Sequence, residues 1–179
     1  YDPHLLVVSS DHYIKDSKKF RDKILEGLKF SDKGRLVVFG TVPTYAETGY
    51  GYIESEKELN ESITASSIKR FVEKPNIDLA NHFLQNNNFF WNSGIFLFKA
   101  SSIIDEINKY QPNILKLCKE AFLKNDDVFN FQRINKDLFE NCPDLSIDIA
   151  VMEKTALGTV LSLDVGWSDI GSWKAVWET

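Results

Sequence analysis

Two short apolar runs separated by a helical pattern constrain the fold more than any other feature of this sequence. Leu5–Val8 and Leu36–Phe39 consist of β-branched, leucine and aromatic residues, which predicts strands buried on both faces. Between them, Asp16 or Ser17 is predicted to cap a helix that ends near Gly34. The apolar face of this helix carries Phe20, Ile24, Leu25 and Leu28. Strand, helix and strand in this order form the βαβ pattern, so we predict a parallel or mixed sheet covered by helices.

Apolar periodicity predicts further elements along the rest of the chain. Four more strands are expected at Tyr50–Ile53, Ile68–Glu73, Ile95–Phe98 and Thr159–Leu163. Helices are expected at 78–85, at 102–124 with a break at Pro112, at 146–152 and at 172–178. The polar residues 54–66 are predicted to form an exposed loop. The chain shows no repeat or linker, so residues 1–179 are predicted to form a single domain.

Composition and charge exclude several classes of function. With 43% hydrophobic and 26% charged residues, the chain has the composition of a globular protein. A net charge of -5 argues against nucleic acid as a partner. Cys118 and Cys142 are far apart and suggest neither a zinc site nor a disulfide framework. No apolar run is long enough to cross a membrane and no signal peptide is evident, so a cytoplasmic location is expected.

Polar residues lie next to the predicted strands, where open α/β sheets bind ligands. Asp11 follows the first strand, Glu73-Lys74-Pro75 closes another, Asn92-Ser93-Gly94 is expected to precede one, and Asp169 follows the last. Two carboxylates without a histidine or cysteine cluster suit Mg²⁺, which in turn implies a phosphorylated substrate. The alternative is that Asp11 caps a turn and Asp169 caps the helix at 172–178.

The other candidate positions also have ordinary structural explanations. Glu73 and Lys74 could hold sugar hydroxyls and a phosphate, but Glu-Lys is also a common surface dipeptide. Gly49 and Gly51 could bring a backbone amide to a ligand or could simply form a hairpin bend. His12, beside Asp11, is interpreted as a packing or hydrogen-bonding neighbour.

The segment from Gly166 to Trp173 surrounds Asp169 with two glycines, two serines and two tryptophans. Glycine lets the backbone approach a ligand closely, and indole rings exclude water. The segment therefore fits either a binding site or a turn that completes a core. If Asp169 is a magnesium ligand, Trp167 and Trp173 are expected to pack around it.

An ordered set of these motifs resembles the bacterial mannose-1-phosphate guanylyltransferases. The matching pieces span almost the whole chain in the family's order. They are Ser10-Asp11-His12, Phe39-Gly40 with Pro43-Thr44, Glu47–Ile53, Phe71–Pro75, Phe90–Phe96, Ser146–Asp148 with Ala150–Thr155, and Gly166–Trp173. Each motif is modest alone, but the ordered set is highly specific.

The resemblance implies a three-layer, Rossmann-like nucleotide-diphosphosugar transferase fold, with a mixed sheet between helices. It implies Asp11 and Asp169 as magnesium ligands and, with Lys74, as catalytic residues. It also implies that Gly51, Glu73, Asn92 and Lys74 bind mannose 1-phosphate. The implied reaction joins GTP and mannose 1-phosphate to give GDP-mannose and pyrophosphate, with Mg²⁺ as the cofactor. The sequence leaves the oligomeric state open, with a homodimer as one candidate.

One departure from the family concerns the start of the chain. The family opens with a glycine-rich loop carrying an arginine and a lysine, and this sequence begins downstream of it, so the N-terminal part of the domain is expected to be missing. The family often also carries a C-terminal mannose-6-phosphate isomerase module, which would follow Thr179 in a bifunctional form. Competing hypotheses are a non-catalytic sugar-nucleotide-binding homologue and a transferase for another sugar 1-phosphate or nucleotide.

Overall fold

The chain divides into two compact units in the computed structural model, which describes residues 1–123, 126–128, 131–171 and 173–178. One unit comprises Tyr1–Ser102 and Ala156–Thr179, and the other comprises Ile103–Thr155. Every candidate site residue belongs to the first unit. The expectation of a single domain for residues 1–179 stays a prediction.

A six-stranded mixed sheet forms the first unit. Its strands, in spatial order, are β1 (His4–Val7), β6 (Phe89–Lys99), β3 (Leu36–Thr41), β9 (Gly158–Ser162), β5 (Ala65–Val72) and β4 (Tyr52–Ser55). β3 and β9 run parallel, and the other pairs are antiparallel. β6 also pairs with β4 through Phe89–Trp91. The predicted mixed α/β fold is confirmed.

The remaining elements are short strands and helices. β2 (Tyr13–Ile14) and β10 (Trp167–Ser168) pair in the first unit, and β7 (Asp126–Val128) pairs with β8 (Phe131–Arg133) in the second. The helices are α1 (Ser17–Ser31), α2 (Ile77–Leu84), α3 (Ala100–Tyr110), α4 (Pro112–Leu123), α5 (Lys136–Phe139) and α6 (Trp173–Glu178). Asp148–Met152, within the predicted helix at 146–152, forms a π-helical turn. Ser172, the predicted start of the last helix, lies outside the described residues.

The main core forms where α1 packs on the centre of the sheet. All side chains of Leu36–Phe39 are fully buried, as their composition predicts. Val37, Phe39, Ile95, Leu97 and Leu161 form a buried cluster against which Phe20, Ile24 and Leu28 of α1 pack. Asp16 begins the helix by accepting a hydrogen bond from the Lys19 N–H at 2.9 Å, which confirms the predicted cap.

The first strand differs from its prediction. β1 lies at the edge of the sheet, where it pairs with β6, and the side chains of Leu5–Val8 are 39–51% exposed. The expectation that this strand is buried on both faces is wrong, because a continuous apolar run does not distinguish an edge strand from a central one.

A second core surrounds the start of β6. Tyr52, Ala80, Phe83, Phe89 and Trp91 are buried together there. β6 begins at Phe89 rather than at Ile95, so Asn92-Ser93-Gly94 lies inside this strand, and the prediction that it precedes a strand is wrong. Polar residues are accommodated because the Ser93 hydroxyl donates to the Phe39 carbonyl at 2.7 Å.

The prediction that residues 54–66 form an exposed loop is also partly wrong. Glu54 and Ser55 are buried at the end of β4, and β5 already begins at Ala65. Glu54 remains charged inside the protein because Lys69 and Arg70 contact its two oxygens at 2.7 and 3.1 Å.

The second unit contains most of α3, together with α4, the β7–β8 pair, α5 and the π-helical turn. The Asn135 side chain caps α5 by accepting from the Leu138 N–H at 3.0 Å, and the Asn135 N–H donates to the Ala121 carbonyl at 2.9 Å. Cys118 and Cys142 are half-buried, unbridged thiols. Burial and the neighbouring Cys142 raise the pKa of Cys118.

Throughout the described part of the chain, every helix is too short or too polar to span a lipid bilayer.

Candidate functional site

A two-stranded ribbon positions both predicted metal ligands. β2 and β10 pair antiparallel, with Tyr13 opposite Ser168 and Ile14 opposite Trp167. The ribbon continues through Lys15 N–H and Gly166 O at 3.3 Å. Because the strands are antiparallel, Asp169 leaves the ribbon at the same end at which Asp11 enters it. The ribbon was not predicted, because two-residue strands leave no periodic signal.

The Asp169 carboxylate is held by two donors on one oxygen. The Tyr50 hydroxyl donates to Oδ1 at 2.7 Å, and the Gly171 N–H donates to the same atom at 3.0 Å. The intervening Ile170 has a positive φ of 52°, which is rare for a β-branched residue. Its N–H donates to the Ser168 hydroxyl at 3.1 Å. Asp169 is thus fixed by a tight turn and by a distant tyrosine.

Tyr50 is itself enclosed by tryptophans. Its ring makes edge contacts with Trp91 and Trp167, at centroid distances of 5.3 and 5.6 Å. Burial and the hydrogen bond to Asp169 raise the pKa of Tyr50 well above its ordinary value. The hydroxyl therefore stays protonated and acts as a donor. Sequence reasoning missed this role, although Tyr50 directly precedes the candidate Gly51.

The tryptophans of the C-terminal segment differ in their surroundings. Trp167 donates from Nε1 to His12 Nδ1 at 3.2 Å and packs edge-on against the imidazole ring. His12 is therefore a packing and hydrogen-bonding neighbour, as predicted. Trp173 is 90% exposed at the start of α6, so the expectation that it packs around Asp169 is wrong.

The predicted sugar-binding residues meet in a second group. A Cβ placed on Gly51 would lie 2.7 Å from Glu73 Oε2 and 3.4 Å from Asn92 Cβ. The Asn92 N–H donates to the Gly51 carbonyl at 2.8 Å. The Asn92 side chain is oriented by the Gly94 N–H, which donates to Oδ1 at 3.0 Å. Gly51, Glu73 and Asn92 thus lie side by side although they come from three segments.

Lys74 lies at the rim of this group. Its ammonium is 3.5 Å from Glu73 Oε1, and its side chain is 66% exposed. The backbone of Lys74 has a positive φ of 46°, an unusual conformation for a residue with a side chain. The turn at the end of β5 thus places the consecutive charged side chains of Glu73 and Lys74 beside the same group of residues.

The two groups are neighbours. Tyr50 and Gly51 are consecutive, and each belongs to one of the groups. A Cβ on Gly94, two residues after Asn92, would lie 3.7 Å from the His12 ring and 3.9 Å from the Ser9 hydroxyl. Asp11 is exposed in the loop between these two residues. The antiparallel ribbon brings this loop to the end at which Asp169 lies.

A cavity of about 320 Å³ adjoins the tyrosine that holds Asp169. Aromatic side chains form much of its wall, with a lysine and a threonine contributing polar groups. The lining includes Tyr13, Lys15, Thr44, Tyr45, Tyr50, Trp91 and Trp167.

The chemistry of the two predicted metal ligands is that which Mg²⁺ prefers, since both side chains supply carboxylate oxygens. Among the described residues, no group of three or more His, Cys, Asp or Glu side chains could enclose a metal. Asp11 and Asp169 supply two carboxylates at one end of the ribbon. Mg²⁺ typically takes one or two carboxylates and completes its octahedron with water and phosphate oxygens.

Known proteins with similar sequences carry one recurrent name. The sequence is 42% identical to a mannose-1-phosphate guanylyltransferase of Escherichia coli K12, over 99% of this chain and 37% of that protein. It is 45% identical to the protein of the same name from Salmonella muenchen, again over 99% of this chain and 37% of the relative. The chain thus spans just over a third of the length of these relatives.

Solved structures with similar folds carry related names. A Helicobacter pylori structure described as a mannose-6-phosphate isomerase superposes with a TM-score of 0.84 at 35% identity, covering 93% of this chain and 64% of that one. A Thermus thermophilus structure described as a mannose-1-phosphate geranyltransferase gives a TM-score of 0.83 at 27% identity, covering 96% and 48%. A family model described as nucleotidyl transferase matches residues 1–179. The chain belongs to the nucleotidyl transferase family.

Proposed function

We propose that this chain is the sugar-phosphate-binding and metal-binding part of a mannose-1-phosphate guanylyltransferase. The proposed reaction forms GDP-mannose and pyrophosphate from GTP and mannose 1-phosphate. The observation that carries the proposal is the direct contact of Gly51, Glu73 and Asn92 beside the Tyr50–Asp169 pair. The names of the relatives support the choice of substrates.

In this proposal the three neighbouring residues bind the mannose ring. Glu73 accepts hydrogen bonds from sugar hydroxyls, and the Asn92 amide provides both donor and acceptor groups. Gly51 allows the ring to approach the backbone, because any side chain there would occupy the space beside Glu73. Lys74, exposed at the rim, contacts the phosphate of the same substrate.

Asp11 and Asp169 are proposed to hold Mg²⁺ together with phosphate oxygens. The ion supplies charge neutralisation for phosphoryl transfer when it is bound. In the proposed reaction, an oxygen of mannose 1-phosphate attacks the α-phosphorus of GTP in line, and pyrophosphate leaves. The described residues contribute alignment: Glu73 and Asn92 hold the sugar ring, Lys74 contacts the attacking phosphate, and Tyr50 fixes Asp169. Such a reaction depends on positioning rather than on a strong base.

The proposal includes three further predictions, which are a cytoplasmic location, a homodimer and a bifunctional form of the intact protein. The bifunctional form is supported by the name of the Helicobacter pylori structure, since that protein is described as a mannose-6-phosphate isomerase.

Binding of mannose 1-phosphate tests the sugar assignment. Titration calorimetry on the intact protein should show that Glu73→Gln weakens this binding by about tenfold or more, since a half-buried, charged hydrogen-bond acceptor for a hydroxyl is neutralised. Glu61→Gln, which alters an exposed glutamate of the same unit, provides the matched control and should bind as the wild type does. Equal affinity in the Glu73 variant and the control would refute the sugar assignment.

A further inference from the structure

The hydrogen bonds of Asp169 are distributed unevenly between its two oxygens. Oδ1 accepts from both the Tyr50 hydroxyl and the Gly171 N–H. Oδ2 lies on the side of Gly171, where a Cβ on that residue would come within 2.6 Å of it. A glycine at position 171 therefore keeps space open beside Oδ2. Among the described residues, both hydrogen bonds to this carboxylate thus fall on Oδ1, and Gly171 places no side chain against Oδ2.

The donor of the shorter bond is rigid. The Tyr50 ring is held edge-on between Trp91 and Trp167, and Trp91 is only 7% exposed. An aromatic side chain packed in this way loses the freedom to turn its hydroxyl elsewhere. Tyr50 therefore determines the direction in which the Asp169 carboxylate points.

The local backbone also favours this arrangement. Ile170 adopts a left-handed conformation, which is strained in a β-branched residue. The strained turn brings the Gly171 N–H onto Oδ1. Backbone strain of this kind persists where the surrounding structure requires one conformation. Here the strained conformation of Ile170 orients the Asp169 carboxylate.

We infer that Tyr50 is a positioning residue that binds Oδ1 of Asp169 and leaves Oδ2 to coordinate the divalent cation. The inference rests on the proposed function, because it takes Asp169 as a metal ligand. Groups that orient a metal ligand typically contribute about 10- to 100-fold to metal affinity. Because Tyr50 precedes Gly51 directly, the same loop also sets the distance between the carboxylate and the sugar-binding group.

Metal binding can be measured without turnover. Mn²⁺, which prefers the same oxygen ligands as Mg²⁺, can be titrated by electron paramagnetic resonance into the intact protein in the presence of mannose 1-phosphate. We expect Tyr50→Phe to weaken Mn²⁺ binding by about 10- to 100-fold. Tyr110→Phe is the matched control, because it removes a hydroxyl that donates to the Lys154 carbonyl at 2.8 Å, far along the chain. It should leave Mn²⁺ affinity unchanged.

A second variant tests the open side of the carboxylate without altering the tyrosine. Gly171→Ala places a methyl group against Oδ2 and should also weaken Mn²⁺ binding. This variant keeps the test decisive if Tyr50→Phe lowers the melting temperature. Measured without a divalent cation, the affinity for mannose 1-phosphate should remain that of the wild type in both variants.

The outcomes separate this inference from the proposed function. Wild-type Mn²⁺ affinity in the folded Tyr50 and Gly171 variants, with binding lost in Asp169→Asn, would overturn the inference alone. Wild-type affinity in Asp169→Asn, or no Mn²⁺ binding by the wild-type protein, would contradict the proposed metal site and the inference together.

Discussion

Gly51 and Glu73 lie so close together that no side chain fits between them, since a Cβ at position 51 would be 2.7 Å from Glu73 Oε2. Gly51→Ala should therefore displace the Glu73 carboxylate and weaken binding of mannose 1-phosphate. A displacement of about 1 Å can cost a hundredfold in activity, so we expect an affinity loss of at least tenfold, measured by calorimetry.

Gly49→Ala is the control for that experiment. It adds a methyl group in the same loop, where the nearest atom is Glu47 Oε1 at 3.2 Å. Its affinity for mannose 1-phosphate should stay near that of the wild type. Wild-type affinity in Gly51→Ala would show that the contact with Glu73 does not shape the sugar site.

Gly166 is predicted to be essential for the ribbon that carries Asp169. Its φ is 64°, and a Cβ there would lie 2.8 Å from Lys15 Cβ. Gly166→Ala should destabilise the protein by about 2–4 kcal/mol, because backbone strain and a collision add. Urea denaturation would measure this loss.

Gly34→Ala separates strain from collision in the same assay. Gly34 has a similar φ of 77°, but the nearest atom to its Cβ would be 3.8 Å away. It should cost only about 1–2 kcal/mol. Equal losses in the two variants would mean that the Lys15 contact relaxes without cost.

Glu54 should make stability depend on pH in acid. Burial acts to raise the pKa of this carboxyl, but Lys69 and Arg70 outweigh it and hold the pKa below its usual 4.5. The stabilisation is therefore complete above about pH 4.5 and is lost as the pH falls through the lowered pKa. Glu54→Gln should cost about 1–3 kcal/mol at pH 7.

Urea midpoints measured between pH 7 and pH 3 would test this prediction. The difference between the wild type and Glu54→Gln should shrink below pH 4.5. Glu140→Gln, which removes an exposed ion pair with Lys136, should cost little at any pH. A constant difference for Glu54→Gln across the range would contradict the assigned cause.

The central strands and the first helix were predictable from the sequence, because burial and period leave direct signals. Leu36–Phe39 is apolar on both faces, and Asp16 caps a helix with a regular apolar stripe. The edge position of β1 was not predictable, since its composition equals that of a buried strand. The extent of β6 was also missed, because Asn92, Ser93 and Gly94 are atypical of strands.

The candidate site residues were named from the sequence, but the contacts between them were not. Asp169, Gly51, Glu73 and Asn92 carry motif signals, whereas the bond from Tyr50 to Asp169 joins residues 119 positions apart in sequence. No local pattern encodes such a contact. The ribbon of β2 and β10 is likewise too short to leave a period, although it places both carboxylates.

Pyrophosphate release by the intact protein from GTP and mannose 1-phosphate with Mg²⁺ tests the central claim most directly. Asp169→Ala should abolish turnover, because it removes a proposed metal ligand. Asp164 lies five residues before Asp169 and carries an exposed carboxylate paired with Lys19. Asp164→Asn should therefore retain full activity. Full activity in the Asp169 variant would contradict the account.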